Sequence, residues 1–333
     1  MKRILVTGGF GFIGTHLVEE LLLNPINHVT VVDDLSTSPV DPDAFITGIG
    51  WAHSEYLSRL DAVITTVKKY FRQYTLPHFD EIYHLASVVG PVMLIERGGK
   101  ILKNMVGDTY DILEYCLQHG TRLLDFSTGE VYGGLNSNGM CVEEGSMIVP
   151  PKASARLEYA VGKLACEIAL KNTCNLTDLH ATIVRPFNAT GPRQQPGGGF
   201  VLPRFLNQAI AGEPLTVYWE GKGVRTFTHV KDIASGVVLM MERGHRGYAY
   251  NIGNPCNKCT VLELAHKVLE ISGSKSEIIF VDPRTLWGPL FEECADKYPD
   301  VDRAIVDLNW HPYRTLDTII ADGLAYVQAR RKD

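Results

Sequence analysis

Residues 3–14 read Arg-Ile-Leu-Val-Thr-Gly-Gly-Phe-Gly-Phe-Ile-Gly, and their order decides the fold. Arg3 to Thr7 is a short apolar, β-branched run of the kind that is buried in a sheet. Gly8, Gly11 and Gly14 follow at once, and Phe12 to Leu23 then carries Ile13, Leu17, Val18, Leu21 and Leu22 at helical spacing. Asn24-Pro25 breaks that helix, and His28 to Asp33 reads as a second buried strand. Strands this continuously apolar belong in a parallel sheet covered on both faces.

The glycines carry chemistry as well as shape. They permit a tight turn in which backbone amides approach a pyrophosphate, whose charge meets the N-terminus of the helix. Asp33 closes the second strand nineteen residues after Gly14. A carboxylate there accepts hydrogen bonds from ribose hydroxyls and repels a 2′-phosphate. The pattern therefore predicts a dinucleotide, NAD in preference to NADP, held by Gly8, Gly11, Phe12, Ile13, Gly14 and Asp33. Asp34 either helps the adenine end or simply begins the next loop.

Further strands are expected at residues 81–87, 121–128 and 181–186, and helices at 101–116, 157–172 and 316–329. Between Asp34 and Asp80 the sequence is less legible: a Pro-rich loop (Ser38 to Asp43) precedes a third strand that cannot be placed. The tally is α/β, a doubly wound parallel (Rossmann) sheet with a smaller mixed α/β C-terminal domain. The expected division is 1–186 with about 226–252 for the dinucleotide, and 187–225 with 253–330 for the second ligand. Gly191 to Gly199, dense in Gly and Pro, is expected to be a loop over a site or a boundary.

Composition limits the partners. Of 333 residues, 45% are hydrophobic and 21% charged, and 38 acidic residues against 32 basic ones leave a net charge of −6. Such a chain lacks the broad positive field that duplex nucleic acid or an anionic bilayer requires. The apolar run after Lys2-Arg3 ends at Gly8-Gly9, so no signal peptide is read, and no stretch is long enough to span a membrane. Seven scattered cysteines suit a reduced, cytoplasmic protein. Cys256 and Cys259 lack the partner ligands of a zinc site, so no metal is expected.

Two segments point to the reaction. Tyr159 and Lys163 stand at i and i+4 on a predicted helix, sharing a face. A nearby ammonium stabilises a phenolate, so the lysine is expected to lower the tyrosine's pKa. Taken alone, the pair would pass for two surface residues. Ser127-Thr128-Gly129-Glu130 lies at a strand's C-terminal end, where open α/β sheets place ligands, and Thr128 is placed to hydrogen-bond a substrate oxygen. Glu130 has a plainer reading as a turn cap or an ion-pair partner.

Glycine turn, strand-end threonine and Tyr-x-x-x-Lys, in this order, resemble the extended short-chain dehydrogenase/reductases over Ile4 to about Ala325. The resemblance implies that Tyr159 is the base, that Lys163 also holds the nicotinamide ribose, and that Thr128 assists proton transfer. It implies cofactor contacts at Leu85, Ala86, Ser87 and Asn104. Asn188 to Arg193, Leu215 to Tyr218 and Arg225 to Asp232 are similar to the nucleotide-sugar branch. There an asparagine amide and arginines hold a diphosphate, which implies Asn188, Arg193 and Arg225 as ligands and Tyr218 at the nucleobase. A homodimer built on helices 101–116 and 157–172 is implied too, although the same small residues would suit an internal core.

Members of that branch oxidise the sugar C4 hydroxyl and then differ in the second step. Gly129 occupies the place of the dehydratases' acid, which argues against dehydration. Glu130 resembles the UDP-glucuronate decarboxylases, with 4-epimerisation of a UDP-sugar as the alternative. Lys297, two residues before Pro299, stands where the decarboxylases carry an arginine and keeps the charge without the fork. A non-catalytic NAD-binding protein is the remaining class, and such relatives typically lose the Tyr/Lys pair that is present here.

Overall fold

The computed structural model describes residues 1–52, 54–133, 139–145, 154–289 and 291–331. The strands used below are β1 (Lys2–Thr7), β2 (Asn27–Asp33), β3 (Leu60–Ile64), β4 (Glu81–His84), β5 (Arg122–Phe126), β6 (Ala181–Pro186), β7 (Leu215–Tyr218), β8 (Ala249–Ile252) and β9 (Ile278–Val281). The helices are α1 (Phe12–Leu22), α2 (Pro42–Ala52), α3 (Ile101–His119), α4 (Ala155–Leu176), α5 (Val201–Ala211), α6 (Val230–Arg243), α7 (Val261–Ser272) and α8 (Leu316–Arg330).

Seven strands form one sheet in the order β8-β6-β5-β4-β1-β2-β3, and every pairing in it is parallel. The order runs outward both ways from β1 and β4, the doubly wound arrangement that opens a crevice at the strands' C-terminal ends. Alternation along β1 builds both faces. Ile4 and Val6 join a core with Leu17 and Val18 of α1 and Val237 and Met240 of α6. Leu5 joins the opposite core with Ile112 and Cys116 of α3 and Leu170 of α4.

The stretch from Asp34 to Asp80 becomes legible only in the structure. The Pro-rich segment does not stay a loop: Asp41 Oδ1 accepts from Ala44 N at 2.9 Å, and α2 starts at Pro42, where a proline costs the helix nothing. β3 follows as an edge strand with only Leu60 buried, so it carries no continuous apolar signal.

After β6 the chain leaves the sheet and returns to it as β8. The remaining residues build a separate core in which α5, α7 and α8 pack around Phe205, Leu264 and Ile320. Beside it β7 and β9 pair in parallel, Leu215 opposite Ile278. No helix among the described residues is long and apolar enough to cross a membrane.

Candidate active site

A cleft of about 1330 Å³ runs from the glycine turn after β1, past the ends of β4 and β5, to the loops after β7. Pockets for one small ligand span roughly 300–1000 Å³, so this one has room for two.

At the β1 end the backbone is shaped by absent side chains. Gly8 has φ +71°, and a Cβ there would meet Ala86 N at 2.8 Å; one on Gly14 would meet Gly8 O at 2.2 Å. No side chain caps α1 and no acid stands in its first turn, so its amides face the cleft unopposed. Asp33 is held by Phe10 N (2.9 Å) and Leu35 N (2.8 Å). Burial nevertheless raises its pKa, while those backbone bonds pull it down. Phe12, Ile13, Asp34, Leu85, Ala86, Ser87 and Asn104 all line the same end. The Ser87 hydroxyl is buried with no partner among the described residues, a donor waiting for a ligand acceptor. A glycine cradle, an uncapped helix end and a buried carboxylate fit a dinucleotide.

The middle of the cleft holds the reacting groups. Tyr159 and Lys163 are both buried on α4 one turn apart, and Thr128 follows β5. The Thr128 hydroxyl hydrogen-bonds Tyr159 and also accepts from Glu130 N at 3.1 Å. Burial pushes the Tyr159 phenol well above its usual range; the Thr128 bond opposes that, while Glu130 and Asp125 add to it. The expected lowering by Lys163 is therefore outweighed. The lysine's field falls instead on His84, which burial and that charge take down to about 3, and on Asp125, which burial raises to about 6.

Glu130 is more than a turn cap. Lys297 Nζ lies 2.9 Å from one of its oxygens and Arg156 NH1 3.0 Å from the other. Burial would raise its pKa, but the two cations together hold it well below the usual carboxylate range. Arg156 escaped the sequence reading, although it stands three residues before Tyr159 and so on nearly the same helical face.

The β7 end holds Asn188, Tyr218 and Arg225, as expected. Asn188 Nδ2 donates to Thr226 O at 3.0 Å. Arg225 is already engaged: it pairs with Glu293, donates to Cys294 O at 2.9 Å and lies 3.6 Å from Asp296. Arg193 is a correction. With φ +70° it turns away from the cleft, pairs with Glu19 of α1 at 2.5 Å and lies over the Phe45 ring. Its place is taken by Arg204 of α5, which sequence reading missed. This guanidinium lies 4.0 Å over the Tyr218 ring, and its Nε and one terminal nitrogen are buried without a partner among the described residues.

The sheet end is braced from behind. Arg185 donates to Glu167 at 2.9 and 2.5 Å, Glu167 accepts from Ser127, and Arg185 also donates to Tyr132 at 2.8 Å. Ser127 directly precedes Thr128, so this fully buried network fixes the strand end that carries it.

The model for the NAD dependent epimerase/dehydratase family matches residues 4–253. The chain is 30% identical over 316 residues to a UDP-N-acetyl-alpha-D-glucosaminuronate decarboxylase of Bacillus cytotoxicus, covering 93% of each. It is 33% identical over 313 residues to UDP-glucuronic acid decarboxylase 6 of Arabidopsis thaliana, covering 93% of this chain and 84% of that one. A solved UDP-glucuronic acid 4-epimerase of Bacillus cereus, in complex with UDP-glucuronic acid and NAD, superposes with TM-score 0.80 at 26% identity, over 98% of this chain and 99% of that one.

Proposed function

The chain belongs to the NAD-dependent epimerase/dehydratase family, and from that premise we propose that it decarboxylates a UDP-linked hexuronate through a 4-keto sugar. Its cofactor is NAD, assigned to the Gly8–Gly14 turn, Asp33, Asp34 and the Leu85–Ser87 strand end, with Asn104 beside them. Bound NAD+ supplies a hydride acceptor and a positive ring, and that charge opposes the upward pull of burial on Tyr159.

The observation that carries the reading is the convergence of Lys297 and Arg156 on Glu130, next to Tyr159 and Thr128. Two cations at one carboxylate leave net positive charge where the C6 carboxylate of a uronate would lie. Tyr159 takes the C4 hydroxyl proton, Thr128 hydrogen-bonds the C4 oxygen, and Lys163 keeps positive charge beside both. Once C4 is a ketone, the C5–C6 bond breaks heterolytically. Carbon dioxide leaves, and the electron pair enters the enolate formed over C4 and C5. A proton then returns to C5, for which Glu130 and Lys297 are the nearest carriers. Arg204 and Arg225 hold the diphosphate, with Asn188, while Tyr218 borders the base.

The second reading, 4-epimerisation, draws on the resemblance to the Bacillus cereus UDP-glucuronic acid 4-epimerase. Incubation with NAD+ and UDP-glucuronate separates the two by product mass. Loss of one carbon dioxide supports decarboxylation, and an unchanged mass with a new retention time supports epimerisation. Loss of water from any UDP- or dTDP-hexose would overturn the reading of Gly129.

The assembly we assign is a homodimer. α3 and α4 pack together yet expose Leu102, Tyr110, Leu117, Val161 and Ile168, an apolar face suited to a second copy. The seven unpaired thiols agree with a reducing, cytoplasmic setting.

A further inference from the structure

Trp219 directly follows β7 and adopts φ +47°, a left-handed conformation that a bulky L-residue avoids. The neighbourhood imposes it: Trp219 N donates to Val281 O at 2.9 Å, which pins the backbone to β9. A strained non-glycine residue held by its surroundings at a cleft points to use of its side chain. The half-buried indole lines the β7 end of the cleft, its ring centroid 6.0 Å from that of Phe291.

The neighbouring tyrosine is already engaged. Arg204 covers the Tyr218 ring at 4.0 Å, Trp287 donates to its hydroxyl at 2.9 Å, and Phe291 meets it edge to face at 5.6 Å. These contacts lock Tyr218 as part of the wall. They also bring the unpartnered donors of Arg204 beside Trp219, so a flat aromatic surface adjoins an anion-seeking guanidinium. A ligand made of a planar ring joined to phosphates matches both.

We infer that Trp219 is the substrate-specificity residue at this end of the cleft, its indole stacking on the pyrimidine ring of the UDP moiety and its left-handed backbone aiming it there. The inference rests on the UDP-sugar reading given above. Stacking on an aromatic side chain is sequence-tolerant but substantial, and its removal weakens binding by about 10- to 100-fold.

The test is calorimetric titration of UDP and of inorganic pyrophosphate into the wild-type protein, Trp219→Gly and Trp219→Phe. Glycine adopts φ +47° freely, so that variant keeps its fold, checked by a melting temperature within a few degrees of wild type. Trp219→Gly is expected to lose 10- to 100-fold in UDP affinity and nothing for pyrophosphate, while Trp219→Phe stays within about 3-fold of wild type for both. Unchanged UDP affinity in Trp219→Gly overturns the inference, as does an equal loss for pyrophosphate or an equal loss in the phenylalanine variant. A wild-type protein that binds NAD but not UDP defeats the UDP-sugar reading itself.

Discussion

Lys297 Nζ lies 2.9 Å from Glu130 Oε1, which joins a buried lysine from late in the chain to the turn that follows β5. The lysine is 3% exposed, so the ion pair keeps it charged in a place where burial alone would favour the neutral amine. The contact closes the cleft around the reacting end and brings the two halves of the site together.

Glu130→Gln follows directly from that contact. Removing the carboxylate leaves Lys297 and Arg156 facing each other, and turnover is expected to fall by about 100-fold or more, as for loss of a general acid or base. The sign of the pH effect is fixed by the lowered pKa. The stabilisation is complete above the unfolded value near 4.5 and is lost as pH falls through the lower folded value. The variant's melting temperature should therefore lie below wild type at pH 7, and the gap should narrow below pH 4.

Glu167→Gln tests the network behind Thr128. Breaking one partner of a fully buried pair costs about 3–5 kcal/mol, because Arg185 stays buried and uncompensated. Melting is expected to fall by about 10 °C in a scan at neutral pH. A double variant, Glu167→Leu with Arg185→Met, should recover part of the loss, since it leaves no orphaned charge.

His84→Gln isolates one acid-sensitive group. His84 is fully buried beside Lys163, its Nδ1 lies 2.7 Å from Thr7 Oγ1, and it stays neutral down to about pH 3. The unfolded chain takes up a proton near 6.5 and the folded one does not, so this group withdraws stability progressively as pH falls from 6.5 towards 3. Melting of His84→Gln should decline less steeply than that of wild type between pH 6.5 and pH 4. Parallel curves would mean that His84 is already charged in the fold.

What could be read in advance followed from local physics. The glycine turn, Asp33 and the Tyr159/Lys163 pair announce themselves because each demands particular residue types at fixed spacing. β3 stayed hidden because an edge strand with one buried residue has no apolar pattern. Arg193, Arg204 and Arg156 were misjudged or missed for a different reason. An arginine's destination depends on partners remote in sequence: Glu19 draws Arg193 out, while Tyr218 and Glu130 hold the other two in. The direction of the Tyr159 shift was likewise a matter of burial, which spacing alone does not report.

The most direct measurement is a single turnover of NAD-loaded protein with UDP-glucuronate, following nicotinamide absorbance and released carbon dioxide together in wild type and Tyr159→Phe. Wild type is predicted to reduce the nicotinamide transiently and release carbon dioxide, and the variant to bind NAD within about 3-fold of wild type yet do neither, since the loss of an essential base outweighs any change in binding. Carbon dioxide release without nicotinamide reduction, or full turnover by the variant, would contradict the account.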